Sequence, residues 1–215
     1  MQQAVNDLDH VRVSPTLPLV IVDVDEVLAR FMLGLERYVG RRGYEMRIDR
    51  FALFQNIYPV GSQTCVDATA GLELFNGFFE HGADDLEPAE GAAEALADLS
   101  TRAEVVILTN APEHGRTTRG GWLRRHGFDY PLVINSGLKG PAAKALAERT
   151  TGASAFIDDL LPNLESVAEH APNVSRFQMV ADERLRPLAP SLPDRHPRHD
   201  EWPALKAAIE AAILR

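Results

Sequence analysis

Three short apolar runs in this chain stop abruptly at oxygen-bearing side chains. Residues 17–22 (LPLVIV) run into Asp23, Asp25 and Glu26; residues 104–110 (EVVILTN) end in Thr109 and Asn110; residues 153–159 (ASAFIDD) end in Asp158 and Asp159. Continuous apolar runs rich in β-branched residues read as interior strands of a parallel sheet, buried on both faces. A carboxylate left without a partner in such an interior is costly. The acids therefore belong at the strand ends, and in parallel α/β sheets that is where ligands bind. Asp23 and Asp25 are two positions apart, which in extended backbone turns both side chains the same way. So Asp23, Asp25, Thr109, Asn110, Asp158 and Asp159 are expected to converge on one site, although they span much of the chain.

The intervening sequence supports a sheet of that kind. From Pro88 onward, helical patterns at 88–101, 116–126, 140–150 and 162–171 alternate with strand patterns at 104–110, 131–136, 153–159 and 174–180. Such alternation implies βαβ units and a parallel sheet. Pro141 falls in the first turn of its helix, where proline is tolerated. A proline-rich irregular surface loop is expected over 181–200, and an amphipathic helix closes the chain. Residues 28–46 carry apolar residues at helical spacing, and residues 47–87 are aromatic-rich and less regular. The gap between the first two strands is too long for one crossover. It predicts an insertion, 29–87, into a core made of 17–28 and 88–215, behind a polar lead-in at 1–16.

Composition narrows the function classes. The formal charge of −9 comes without a Lys/Arg cluster, which argues against a nucleic-acid polymer as partner. A single cysteine, Cys65, excludes an internal disulfide and a multi-cysteine zinc site, and reads as a small buried hydrophobe in a reducing cytoplasm. No uncharged apolar run approaches the length of a membrane span, so no membrane partner is expected.

Four segments taken together resemble the motifs of the haloacid dehalogenase (HAD) superfamily. IVDVDEVLARF resembles its first motif, VVILTN its second, SGLKGPAAKAL its third and FIDDLLPN its fourth, in order along residues 17 to 180. The resemblance implies a three-layer Rossmann-like α/β core with a small helical cap inserted after the first strand. It implies a phosphomonoester hydrolase working through an aspartyl-phosphate on a small phosphorylated metabolite, as a monomer or homodimer. Asp23 would be the nucleophile and Asp25 the acid and then the base. Thr109 and Asn110 would hold the phosphoryl oxygens, and Lys139 would neutralise charge. Mg²⁺ would sit among Asp23, the Asp25 carbonyl, Asp158 and Asp159, with Asp159 preferred over Asp158 because Asn163 follows at the usual spacing. Lys144 competes for the lysine role but falls inside the helix. Asp25 favours phosphatase or phosphotransferase over dehalogenase. The segments DVDEVLARF, FNGFFEHGADDLEPAEGAAEALADL and RGGWLRRHG further resemble the 5′(3′)-deoxyribonucleotidase branch, which implies a nucleoside monophosphate.

Charge leads to the same cofactor. Asp23, Asp25, Glu26, Asp158 and Asp159 against Lys139 would repel a phosphate dianion, so a divalent cation and one raised carboxyl pKa are required. All-oxygen ligands suit Mg²⁺. Glu26 departs from the superfamily, which often has glycine there; it either crowds the substrate, contacts a cation or points to solvent. Of the aromatics Phe51, Phe54, Tyr58, Phe75, Phe78 and Phe79, most are expected to fill the insert's own core, with a base platform as the alternative. Arg116 and Arg119 read as solvated helix residues, His114 as a surface-loop histidine, and the histidines of DRHPRHD as loop residues. A non-catalytic binder of a phosphorylated ligand is the reading from a different class.

Overall fold

The computed structural model describes residues 8–214. Five strands form one parallel sheet: β1 (Leu19–Val22), β4 (Glu104–Asn110), β5 (Leu132–Asn135), β6 (Ser154–Asp158) and β7 (Ser175–Gln178). Their order is β5-β4-β1-β6-β7, so β1 lies at the centre with β4 and β6 beside it. The alternation along β1 explains why all four of its residues are buried. Val20 and Val22 enter one core cluster, while Leu19 and Ile21 enter the other. A strand covered on both faces reads as an uninterrupted apolar run.

Helices supply the two covers. On one face lie α5 (Gly140–Ala147) and α6 (Leu161–His170), packed through Ala143, Leu146, Leu164 and Val167. On the other lie α3 (Ala92–Leu99), α4 (Arg116–Arg125) and α7 (Trp202–Ile213), packed through Leu96, Trp122 and Trp202. The architecture is thus the expected three-layer α/β sandwich. The lead-in is not loose where it is described: Leu8 and Val11 are buried against the α5–α6 side, and Arg149 Nη1 donates to both of their carbonyls. Its first seven residues lie outside the described part.

Between β1 and α3 the chain departs from the sequence reading. The helix of 28–46 is shorter, α1 (Phe31–Gly40), and hands over to a strand, β2 (Tyr44–Met46). That strand pairs antiparallel with β3 (Ile57–Pro59). The less regular stretch contains a 14-residue helix, α2 (Ala68–His81), started by Asp67, whose carboxylate accepts from the Ala70 N–H at 2.8 Å. Buried residues of this segment, among them Phe31, Leu35, Tyr38, Phe78 and Phe79, belong to the same cluster as the α3–α4–α7 face of the sheet. Residues 181–200 are irregular as expected but are no mere surface loop. Asp182, Leu185 and His196 are buried, and Arg184 pairs with Glu36 of α1.

Candidate active site

Register alone brings the acids together. Val22 pairs with Ile157, and the Asp23 N–H donates to the Ile157 carbonyl at 3.0 Å. Asp23 and Asp158 therefore leave adjacent strands side by side. The strand order reverses here, at the topological switch point where α/β sheets bind ligands. One carboxylate oxygen from each of Asp23, Asp158 and Asp159 lies within 4.8 Å of the others, and all three residues are buried.

Lys139 reaches this group from the turn that precedes α5. Two glycines permit that approach. Gly137, at φ +82°, presents its carbonyl to Asn110 Nδ2 and Asn135 Nδ2, each at 3.0 Å. A Cβ on Gly140 would come within 2.3 Å of the Ser166 carbonyl, so only glycine lets α5 start so close to α6. The Lys139 Nζ then donates to Asp158 Oδ2 at 2.7 Å and lies 2.7 Å from Asp23 Oδ1. Burial disfavours its charge, but the Asp158 and Asp23 carboxylates outweigh burial and raise its pKa. Lys144 lies outside the site, half-exposed and paired with Glu148.

Asp158 is fully engaged. It accepts from Lys139, from the Leu160 N–H at 2.9 Å and from Asn163 Nδ2 at 3.0 Å. Asn163 thus partners Asp158, not Asp159, which removes the spacing argument used above for the metal ligand. The geometry supplies another: the Asp159 carboxylate accepts no hydrogen bond from the described residues while the residue remains buried, and only its backbone carbonyl is bound, by Gln178 Nε2 at 2.9 Å. Burial, then the Asp158 and Asp23 charges, push its pKa well above the usual range. Such a carboxylate needs a cation or a proton. The Thr109 hydroxyl, at the end of β4, is also buried without a hydrogen-bond partner among the described residues.

Two neighbours of Asp23 have roles that sequence did not reveal. Arg119 is no solvated residue: it is fully buried, and its Nη2 donates to both oxygens of Asp25, at 2.7 and 2.9 Å. Its guanidinium also lies 5.0 Å from the centre of the Phe79 ring. A signal was present. Arg119 stands three and four positions before Trp122 and Leu123, the buried stripe of α4. Burial pushes the Asp25 carboxyl up to about 6, against the pull of Arg119. Arg116 pairs with Glu113, and His114 is exposed.

Glu26 fits none of the three expected roles. It is buried at φ +58° and accepts two backbone N–H groups, Met32 at 2.7 Å and Asp182 at 2.8 Å. It therefore caps the first turn of α1 and ties it to the segment after β7. Burial raises its pKa to about 7, despite both hydrogen bonds. Of the six aromatics, Phe78 and Phe79 are fully buried, while only Phe51 and Phe75 line the cavity above Asp23.

Five carboxyls thus face two cations, Lys139 and Arg119. A divalent ion reduces the remaining excess from three negative charges to one. The set is all oxygen, which suits a hard cation such as Mg²⁺. Asp23, Asp158 and Asp159 are the side chains placed to hold it.

No protein-family model matches the chain, and no curated protein matches it in sequence. Solved structures do match it in fold. A conserved haloacid dehalogenase-like protein of unknown function from Agrobacterium tumefaciens is 17% identical, with TM-score 0.58, covering 90% of this chain and 97% of its own. YfnB from Bacillus subtilis, described as a HAD-hydrolase and solved with magnesium bound, is 13% identical, with TM-score 0.57, covering 90% of this chain and 99% of its own. A HAD-superfamily hydrolase of subfamily IA from Geobacter sulfurreducens is 18% identical, with TM-score 0.54, covering 90% of this chain and all of its own. At these identities the likeness is one of architecture: the chain has the Rossmann-like α/β fold of the HAD-superfamily hydrolases.

Proposed function

We propose that the protein is a Mg²⁺-dependent phosphomonoester hydrolase that works through a phosphorylated Asp23. The observation that carries this reading is the meeting of Asp23, Lys139, Asp158 and Asp159 at the ends of adjacent strands. An Asp23 carboxylate oxygen attacks phosphorus, forming an Asp23–phosphorus bond as the bond from phosphorus to the ester oxygen breaks. The Asp25 carboxyl gives its proton to the departing alcohol. Asp25 then takes a proton from water as that water attacks phosphorus, releasing inorganic phosphate and regenerating Asp23. Lys139, 2.7 Å from Asp23 Oδ1, offsets negative charge between the nucleophile and the phosphate, and the Thr109 hydroxyl is available to a phosphoryl oxygen. Asp23, the Asp25 carbonyl, Asp158 and Asp159 would hold the ion, which supplies charge neutralisation for the phosphate. Positioning and electrostatics provide most of the acceleration in phosphoryl transfer, while acid–base help contributes roughly 10²–10⁴-fold. Residues 29–87 would act as a cap that keeps bulk water from the phosphorylated intermediate.

Phosphate release from p-nitrophenyl phosphate and from a panel of phosphomonoesters, with and without Mg²⁺, tests the reading. The panel includes nucleoside monophosphates, because the branch resemblance points to them. The expected result is Mg²⁺-dependent release that Asp23→Asn abolishes. Release that survives Asp23→Asn removes Asp23 as the nucleophile. Ligand binding without turnover at any Mg²⁺ concentration favours a non-catalytic binder.

A further inference from the structure

The cavity over Asp23 has a volume of about 230 Å³. That is smaller than the roughly 300–1,000 Å³ of sites that enclose drug-sized ligands. Its floor is the acid group and Lys139. Its wall is apolar, formed chiefly by Phe31, Met32, Phe51, Leu53, Phe75 and Leu185. These come from four separate segments: α1, the stretch before β3, α2 and the stretch after β7. Phe75 is braced by Phe79 at 4.8 Å between ring centres, and Phe31 by Phe78 at 5.2 Å.

Most of the polar lining is already committed, the Asp159 carboxylate at the candidate ion site being the exception. Lys139 Nζ sits between Asp23 and Asp158. Asn163 Nδ2 donates to Asp158. Asn110 Nδ2 donates to the Gly137 carbonyl, and its Oδ1 accepts from Asn135. Asp25 is held by Arg119, and Glu26 by two backbone N–H groups. Among the described lining residues there is no arginine, histidine, serine, threonine, tyrosine or glutamine. A second phosphate or a carboxylate on the substrate would meet no cation beyond Lys139, which Asp23 and Asp158 already hold, and a run of hydroxyls would find no uncommitted side-chain partner away from the Asp159 ion site. A hydroxyl buried there without a partner costs about 1–3 kcal/mol, and an apolar pocket rejects an added hydroxyl by roughly 10²-fold.

We infer that the alcohol half of the substrate is a compact apolar group, aryl or short alkyl, with no second charge and no polyol. An aryl group would meet the edges and faces of Phe31, Phe51 and Phe75. The inference rests on the phosphomonoester reading and narrows it, because it places sugar phosphates and the ribose of a nucleotide among the disfavoured substrates.

The test compares kcat/KM, at saturating Mg²⁺, for phenyl and n-butyl phosphate against glycerol phosphate, a hexose phosphate, phosphoglycerate and a nucleoside monophosphate. The expected preference for the apolar esters is roughly 10²-fold, the scale set by polar groups in an apolar pocket. Phe51→Ser, at a half-buried position, should reduce this preference about tenfold through the KM of the aryl ester, in protein whose Tm shows that it remains folded. Equal or better turnover of a polyol or doubly charged ester overturns the inference and leaves the phosphatase reading intact. A second arm separates the two failures. Binding of benzylphosphonate and of 3,4-dihydroxybutylphosphonate is measured by calorimetry with Mg²⁺ present. If no ester is hydrolysed, the phosphatase reading fails. Tighter binding of the benzyl compound still supports the apolar pocket, whereas equal, reversed or absent binding overturns it.

Discussion

Arg119 shows how one side chain can set the state of another. Its guanidinium grips both oxygens of Asp25, yet its Nε and Nη1 have no hydrogen-bond partners among the described residues. Removing one member of a buried ion pair leaves the other charge uncompensated, which costs about 3–5 kcal/mol. Arg119→Met should therefore lower Tm by about 10 °C, given roughly 2–4 °C per kcal/mol at this chain length. It should also raise the pKa of Asp25, whose burial is then unopposed, and move the pH profile of kcat upward. Arg119→Lys restores a charge but not the two-oxygen grip, so stability should recover further than kcat does. Thermal unfolding together with a pH–rate profile reads both effects. If both variants keep the wild-type profile, Arg119 is structural only. Asp23 and its acidic neighbours were legible in sequence because strand ends advertise themselves. Arg119 was hidden by the many charges around it on α4, although its spacing to Trp122 and Leu123 marked the buried face.

Glu26 carries the same lesson to the scale of elements. A non-glycine residue at φ +58° is strained, and glycine there would relieve roughly 1 kcal/mol. Strain alone predicts that Glu26→Gly stabilises. The two hydrogen bonds predict the opposite, since each buried N–H left unpaired costs about 1–3 kcal/mol. Hydrogen bonds should win: Glu26→Gly should unfold at lower urea than wild type, and hydrogen exchange should speed up at the first turn of α1. A midpoint at or above wild type would mean that water replaces the carboxylate. Sequence could flag Glu26 as a departure but not explain it, because its partners are backbone groups 6 and 156 residues away. The α2 helix was obscured for a different reason. Gly71 and Gly77 weaken its propensity, yet Gly71 packs where a Cβ would meet the Phe54 side chain at 2.4 Å. Tertiary fit overrode local preference.

At the scale of the whole molecule, the acid cluster couples stability to pH and to metal. Burial raises Asp25 to about 6, Asp158 to about 6 and Glu26 to about 7, with Asp159 raised as well. A carboxyl whose pKa is higher in the folded state stabilises that state at low pH, and the benefit is lost as pH rises through the folded value. Protein held in EDTA should accordingly lose stability as pH rises from about 4–5, with the loss largely complete by about pH 7. Added Mg²⁺ should restore stability more at pH 8 than at pH 5, because the ion binds the deprotonated acids. Urea midpoints at the two pH values, with and without Mg²⁺, check this. A midpoint in EDTA that holds steady or rises with pH would mean that the acids are compensated within the chain itself.

The central position of β1 has a consequence for how the chain is made. This strand is completed before any of its neighbours exists, since it pairs with residues 104–107 on one side and 154–157 on the other. A growing chain released in order from the ribosome carries Leu19–Val22 with a bare edge until β6 has emerged. Long-range pairing of this kind is slow and leaves sticky edges exposed in the meantime. Asp23 is synthesised early, but Lys139, Asp158 and Asp159, which meet it in the fold, arrive more than a hundred residues later. A nascent or truncated chain ending before Ser154 therefore owns Asp23 without owning a site, and during synthesis its need is for a chaperone rather than a substrate.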